Sequence, residues 1–210
     1  MLKSFVLGGS LAAATLLSGC GLENAIHTAQ VYDDLGAANV LSGPASDLAA
    51  IQLRSGEATY TGLGTVTASD GTTATAFLGD ASIRVDFSSG TVSGQIAMYS
   101  GKGGLDASTD PQAFFDQVKA DPASFLLSMD PASGTVALTD GSFVGEGFAA
   151  SVSSGDLTFG GTTVVVTGGT VTGEFTGPDV NGVRSTATDV TGTLNGTAAS
   201  NIAVYFAGAD

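Results

Sequence analysis

Ile83-Arg84-Val85-Asp86-Phe87-Ser88-Ser89-Gly90-Thr91-Val92-Ser93-Gly94-Gln95-Ile96-Ala97-Met98 is the stretch that decides the fold. Ile83, Val85 and Phe87 alternate with Arg84 and Asp86; after Ser88-Ser89-Gly90, Val92, Gly94, Ile96 and Met98 alternate with Ser93 and Gln95. Successive side chains of an extended strand point to opposite faces, so each half predicts a half-buried strand and the break between them a hairpin turn. The pattern returns at Val171, Gly173 and Phe175, at Val190, Gly192 and Leu194, and at Ile202, Val204 and Phe206.

Three of these strands share an internal motif: Thr91-Val92-Ser93-Gly94-Gln95-Ile96, Thr170-Val171-Thr172-Gly173-Glu174-Phe175 and Asp189-Val190-Thr191-Gly192-Thr193-Leu194. Glycine weakens a strand, but on an inward face it makes room for a large side chain from a facing strand, or lets the strand coil strongly. A tightly curved barrel needs that mixture of small and large residues. With further segments at Glu57 to Thr67, Thr135 to Val152 and Asp156 to Thr167, the count comes to about eight strands, the number whose interior side chains just fill. The predicted fold is all-β, an eight-stranded antiparallel soluble β-barrel. A membrane-spanning barrel inverts the alternation and would crowd Arg84, Asp86, Gln95 and Glu174 into a narrow bore, and no aromatic girdles frame the strands.

Composition agrees. There are 31 Gly and no Trp, and the chain is rich in Thr, Ser and Val, which suits short strands and tight turns. One segment departs from the β pattern. Asp110-Pro111 and Asp121-Pro122 are each an N-cap followed by proline at the first helical position, and Phe114 and Val118 share a helical face. A short helical insertion is therefore expected between strands 3 and 4, either as a plug laying Phe114, Phe115 and Phe125 over an open barrel end or as a mobile, partner-binding lid.

The chain opens with Met-Leu-Lys, an apolar run from Phe5 to Leu17, and Ser18-Gly19-Cys20. These are the n-region, h-region and small-residue cleavage site of an export signal, too short to remain as a membrane span. Leu17-Ser18-Gly19-Cys20 also resembles the lipobox of bacterial lipoproteins, in which diacylglycerol is transferred to the cysteine thiol before cleavage. Cys20 is the only cysteine, so a disulfide within the chain has no second partner. Acyl chains, palmitate among them, contribute about 0.8 kcal/mol per buried methylene and would hold the protein on a membrane. Gly21 is not the Asp that retains some lipoproteins in the inner membrane, so the expected location is the outer membrane or cell surface. The predicted division is a signal peptide at 1–19, a lipidated N-terminus and tether with some local helix at 20–55, and the barrel at 56–210.

In order behind the lipobox, Ala58-Thr59-Tyr60-Thr61-Gly62, Leu78-Gly79-Asp80-Ala81-Ser82-Ile83, Val85-Asp86-Phe87 with Val92-Ser93-Gly94, and Val171-Thr172-Gly173-Glu174-Phe175-Thr176-Gly177 resemble the β-barrel domain of transferrin-binding protein B and its lipoprotein relatives. The resemblance covers about Glu57 to Gly208. It implies an eight-stranded barrel on a surface lipoprotein serving capture of iron-carrying, haem-carrying or complement-regulating host proteins. Members with two lobes pair each barrel with a handle domain; this chain has one barrel behind a short segment, and its loops match no ligand-contact motif of the family.

Net charge is −14, from six Lys plus Arg against twenty Asp plus Glu, and the cations are scattered. That excludes nucleic acid, whose phosphates need clustered cations. No catalytic constellation, metal cluster or cofactor motif is present: His27 is the single histidine and falls in the predicted tether, and Asp33-Asp34 is an exposed pair there. Tyr99, Phe114 and Phe115 are the candidate ligand-contact residues, since loop aromatics often anchor partners. Two functions follow: a lipid-anchored binding module for a protein or haem-type ligand, or a structural envelope lipoprotein that stabilises an outer-membrane assembly. An enzyme is not expected.

Overall fold

The computed structural model describes residues 19–210, with backbone only for Gly19 and Cys20. The expected export signal lies outside the described residues except for the backbone of Gly19. Two helices come first, α1 (Gly19–Ala37) and α2 (Leu48–Leu53). The strands β1 (Glu57–Ser69), β2 (Thr73–Asp86) and β3 (Thr91–Asp106) follow, then helices α3 (Pro111–Ala120) and α4 (Pro122–Leu126). The rest is β4 (Asp130–Ser133), β5 (Thr135–Val144), β6 (Gly147–Val152), β7 (Gly155–Phe159), β8 (Thr162–Thr176), β9 (Gly182–Leu194), β10 (Thr197–Ala198) and β11 (Asn201–Ala209).

All strand pairs are antiparallel, and they close into an eight-stranded barrel as predicted. β4 and β5 are two segments of one barrel strand along β3, broken at Gly134, whose φ is 116°. β6 and β7 likewise form one strand along β8. The ring runs β1, β2, β3, β4/β5, β6/β7, β8, β9, β11, and β11 returns to β1 in an unbroken register from Thr61↔Ala209 to Ser69↔Asn201. Closure leaves this barrel no exposed sheet edge. Gly101-Lys102-Gly103-Gly104 continues β3.

The inward rows are the predicted ones. Tyr60, Ile83, Val85, Ile96, Val171, Phe175, Ile202 and Phe206 belong to one buried core, with the Phe148 and Phe175 ring centroids 5.6 Å apart. The outward rows meet water over the β5 to β9 wall, where Thr139, Thr158, Thr170, Thr186 and Thr191 are exposed. The shared glycines make room for the next strand rather than for one across the bore. A Cβ on Gly94 would lie 2.7 Å from Ile83 Cδ1, and one on Gly173 2.4 Å from the Phe148 ring, each from its register partner.

The helices correct two expectations. Asp110 and Asp121 do cap α3 and α4, accepting hydrogen bonds from the backbone N–H of Ala113 and Ser124. The two helices do not plug a barrel end, however; they pack on the outer wall. There Leu63, Ala76, Leu78, Tyr205 and Ala207, on the outward faces of β1, β2 and β11, form a second core with Phe114, Phe115, Val118 and Leu126. The outward positions of these strands are apolar here, so burying a second layer is favourable at roughly 25 cal/mol per Å² of apolar surface.

The segment expected to be a tether is built into the molecule. Ala25, Thr28, Tyr32 and Leu35 of α1 are buried against the same wall. The plug is α2: Ile51 joins the barrel core, against which Phe87 and Phe143 also pack, and Asp47 caps the helix through the Ala50 N–H. Arg54 holds the plug down, donating to the backbone oxygens of Asp179 and Val180, pairing with Asp210, and lying 5.4 Å from the Phe87 ring centroid. One isoleucine and one arginine carry this role, and a six-residue helix is too short to show it as a periodic pattern.

Candidate functional site

The site is assembled where α1 runs along the outside of β1 and β2. The sequence places a buried residue on α1 every three or four positions, at Ala25, Thr28, Tyr32 and Leu35, which seats one face on the barrel. His27, Val31 and Asp34 fall on the border of that face and overhang the strands. Between them and the strand residues Thr61, Gly62, Asp80, Ala81 and Ser82 lies a groove of about 630 Å³, which Ala209 and Asp210 also line. Its volume falls in the range of small-molecule sites, roughly 300–1,000 Å³.

Small residues and carboxylates give the groove its chemistry. Gly62, Ala81 and Ala209 make a low floor, Val31 and Leu35 an apolar wall, and Asp34 and Asp80 an acidic rim, beside Asp210, whose carboxylate pairs with Arg54. His27 Nε2 lies 2.7 Å from Asp80 Oδ1, with both side chains about half exposed at 47% and 54%. At that exposure the pair is worth about 0–1 kcal/mol, so it orients α1 more than it holds it. The imidazole stands edge-on to Tyr99, with ring centroids 6.3 Å apart. Ser82 shares the groove, but among the described residues no hydrogen bond joins it to His27, so the three side chains do not form a nucleophilic relay. Among the described residues no group of three or more His, Cys, Asp or Glu is placed to hold a metal ion.

The structure gives the three predicted contact aromatics packing roles. Phe114 and Phe115 are 0% and 1% exposed, so neither offers a ligand-contact surface. Phe114 meets Phe125 edge-on at 5.4 Å, and Phe115 sits between Tyr32 at 4.8 Å and Tyr205 at 5.0 Å. Tyr99 is part-buried, and its hydroxyl lies 2.7 Å from that of Thr28. Burial pushes its phenol pKa well above the ordinary value, as it does for Tyr32 and Tyr60. At Cys20 the structure describes only the backbone, in the first turn of α1. The sequence reading missed His27 and Asp80 as neighbours. The three- and four-residue spacing of Ala25, Thr28, Tyr32 and Leu35 was the available signal, and it would have brought α1 onto the barrel.

No protein-family model matches the chain, and no curated protein matches it. Among solved structures it is similar to isotype 1 transferrin-binding protein B from serogroup B Neisseria meningitidis, at 14% identity and a TM-score of 0.39, over 79% of this chain and 27% of that one. It is also similar to a double mutant of the vaccine antigen transferrin-binding protein B from Haemophilus parasuis Hp5, at 14% identity and a TM-score of 0.41, over 80% of this chain and 28% of the other. The chain thus spans little more than a quarter of the length of these structures.

Proposed function

We propose that the chain is an exported lipoprotein, held at the outer membrane or cell surface by acyl chains on Cys20, whose barrel is a rigid frame for ligand binding on its outside. The observation that carries this reading is the filled bore. Tyr60, Phe77, Phe148, Phe175 and Phe206 are all but fully buried inside it, so a ligand is met by the outer wall. The groove along α1 supplies a formed concavity there, and its acidic rim suits a cationic segment of a partner. The ligand class, an iron- or haem-carrying protein, is the one implied by the sequence resemblance over residues 57–208.

Calorimetric titration of the lipid-free mature chain with iron-loaded and haem-loaded carrier proteins tests this. Saturable binding that falls at least tenfold on Asp34→Lys with Asp80→Lys, about 1.4 kcal/mol, is the expected outcome. Binding insensitive to both changes moves the site off the groove. Absence of binding to every carrier removes the ligand class and favours the structural envelope role, in which crosslinking in intact cells traps one fixed envelope neighbour.

A further inference from the structure

We propose that the N-terminal half of α1 lies in the surface of the bilayer that holds the anchor, so that the barrel is fixed side-on against the membrane and not held away from it on a leash. The inference rests on the lipidation of Cys20 proposed above.

Leu22 and Ile26 are 57% and 53% exposed and stand one turn apart on the side of α1 away from the barrel. A single exposed leucine is ordinary on a protein surface. These two lie immediately beyond the anchor position. At about 1.5 Å of rise per residue, they follow Cys20 by about 3 Å and 9 Å along the helix axis. Acyl chains on Cys20 draw the first turn of α1 to the bilayer, and an interfacial helix buries its apolar face about 5–10 Å into the headgroup boundary. Both side chains lie within about two turns of the anchor, so the layer that takes the acyl chains takes them with it.

The barrel must follow, because α1 is continuous from Gly19 to Ala37 and is fastened along its length. His27 binds Asp80, Thr28 meets Tyr99, and the Tyr32 hydroxyl donates to the Phe115 carbonyl, so little slack separates anchor from barrel. Leu127, exposed at the C-cap of α4, which packs against α1, adds apolar surface to the same helical layer. Polar residues mark the limit of insertion. Glu23 is exposed beside Leu22, where a carboxylate keeps its water at headgroup level, while Asp33 and Asp34 are exposed about 16–18 Å beyond Leu22 along the axis, so the helix must tilt up out of the bilayer toward its C-terminal half.

The chain contains no tryptophan, so Ile26→Trp and Asp33→Trp each install a sole indole emitter at an exposed position, with Leu22→Trp as a second inner probe. The full-length chain, expressed with its anchor, is reconstituted into vesicles of phosphatidylethanolamine and phosphatidylglycerol carrying brominated acyl chains. Expected is blue-shifted emission from the Ile26→Trp and Leu22→Trp proteins, quenched several-fold more strongly than that of the Asp33→Trp protein. A protein that floats with the vesicles yet leaves all three probes equally unquenched overturns the side-on placement while the anchor stands. A protein that does not float overturns the anchor, and this inference with it.

Discussion

The Tyr32 hydroxyl on α1 donates a 2.7 Å hydrogen bond to the backbone oxygen of Phe115 on α3, and the two rings meet edge-on at 4.8 Å. This contact joins the N-terminal helix to the helical insertion, and both to the outer wall of the barrel. Removing only the hydroxyl, with Tyr32→Phe, leaves the ring in place and should cost about 1 kcal/mol in denaturant unfolding, the net worth of one hydrogen bond. Tyr32→Ala also removes the ring that packs edge-on to Phe115 and should cost about 3–5 kcal/mol. Equal, small losses from both would mean that α1 does not depend on this contact.

Arg184 clasps the loop after α1. Its Nε donates to Glu174 at 2.6 Å, while one terminal nitrogen donates to the Val40 and Leu41 carbonyls, both at 3.1 Å. Lysine keeps the charge but lacks the planar fork. Arg184→Lys should therefore retain attraction to Glu174 and lose the two carbonyl bonds, at about 1–2 kcal/mol. Amide hydrogen exchange locates the effect: residues 38–47 should exchange faster while β8 and β9 keep their protection. Unchanged exchange across that loop would show the clasp to be idle.

The barrel was legible because its signal is local and repeated. Val171, Gly173 and Phe175 face one way by the geometry of a strand, and no distant residue alters that. The helix starts at Asp110 and Asp121 were legible for the same reason. What could not be read was the destination of each helix. Leu63, Ala76, Leu78 and Tyr205 are outward-facing apolar residues separated widely in sequence, and they announce a covered wall only when β1, β2 and β11 are seen side by side. Once that wall exists, Phe114 and Phe115 belong on it, and the same pairing brings Asp80 under His27. Ile51 entering the core is still less visible, since a six-residue helix with one large buried side chain has no periodicity to detect.

Two glycines should respond in opposite directions. At Gly173 an added Cβ would meet the Phe148 ring at 2.4 Å and the Arg184 oxygen at 2.9 Å, so Gly173→Ala forces overpacking and should destabilise by about 1–3 kcal/mol. At Gly36, inside α1, nothing lies within 4 Å of the added atom. Gly36→Ala removes the entropy cost of glycine in a helix and should stabilise by about 0.5–1 kcal/mol. Thermal midpoints of the two variants, measured beside the parent, should fall on opposite sides of it. Both moving the same way would contradict the packing at one of the two positions.

All four tyrosines, at 32, 60, 99 and 205, are held back from ionising, with burial as the first cause in each. Tyr205 is pushed up to about 12 from an ordinary 10.0, with Asp116 and Glu174 adding to the effect and Arg184 opposing it. The other three are raised further. A phenol with a raised folded-state pKa favours folding fully below its unfolded value, and that contribution is lost as pH climbs through the folded value. Stability should thus be flat with respect to tyrosine below pH 10 and fall steadily above it. Tyrosinate absorbance and far-ultraviolet circular dichroism, followed together from neutral to strongly alkaline pH, should change in one shared transition. The folded protein should show almost no tyrosinate at pH 10, where a free phenol is half ionised. A tyrosinate step near pH 10 with the dichroism intact would place at least one phenol in water, and Tyr→Phe changes at the four positions would identify which helix or strand had released it.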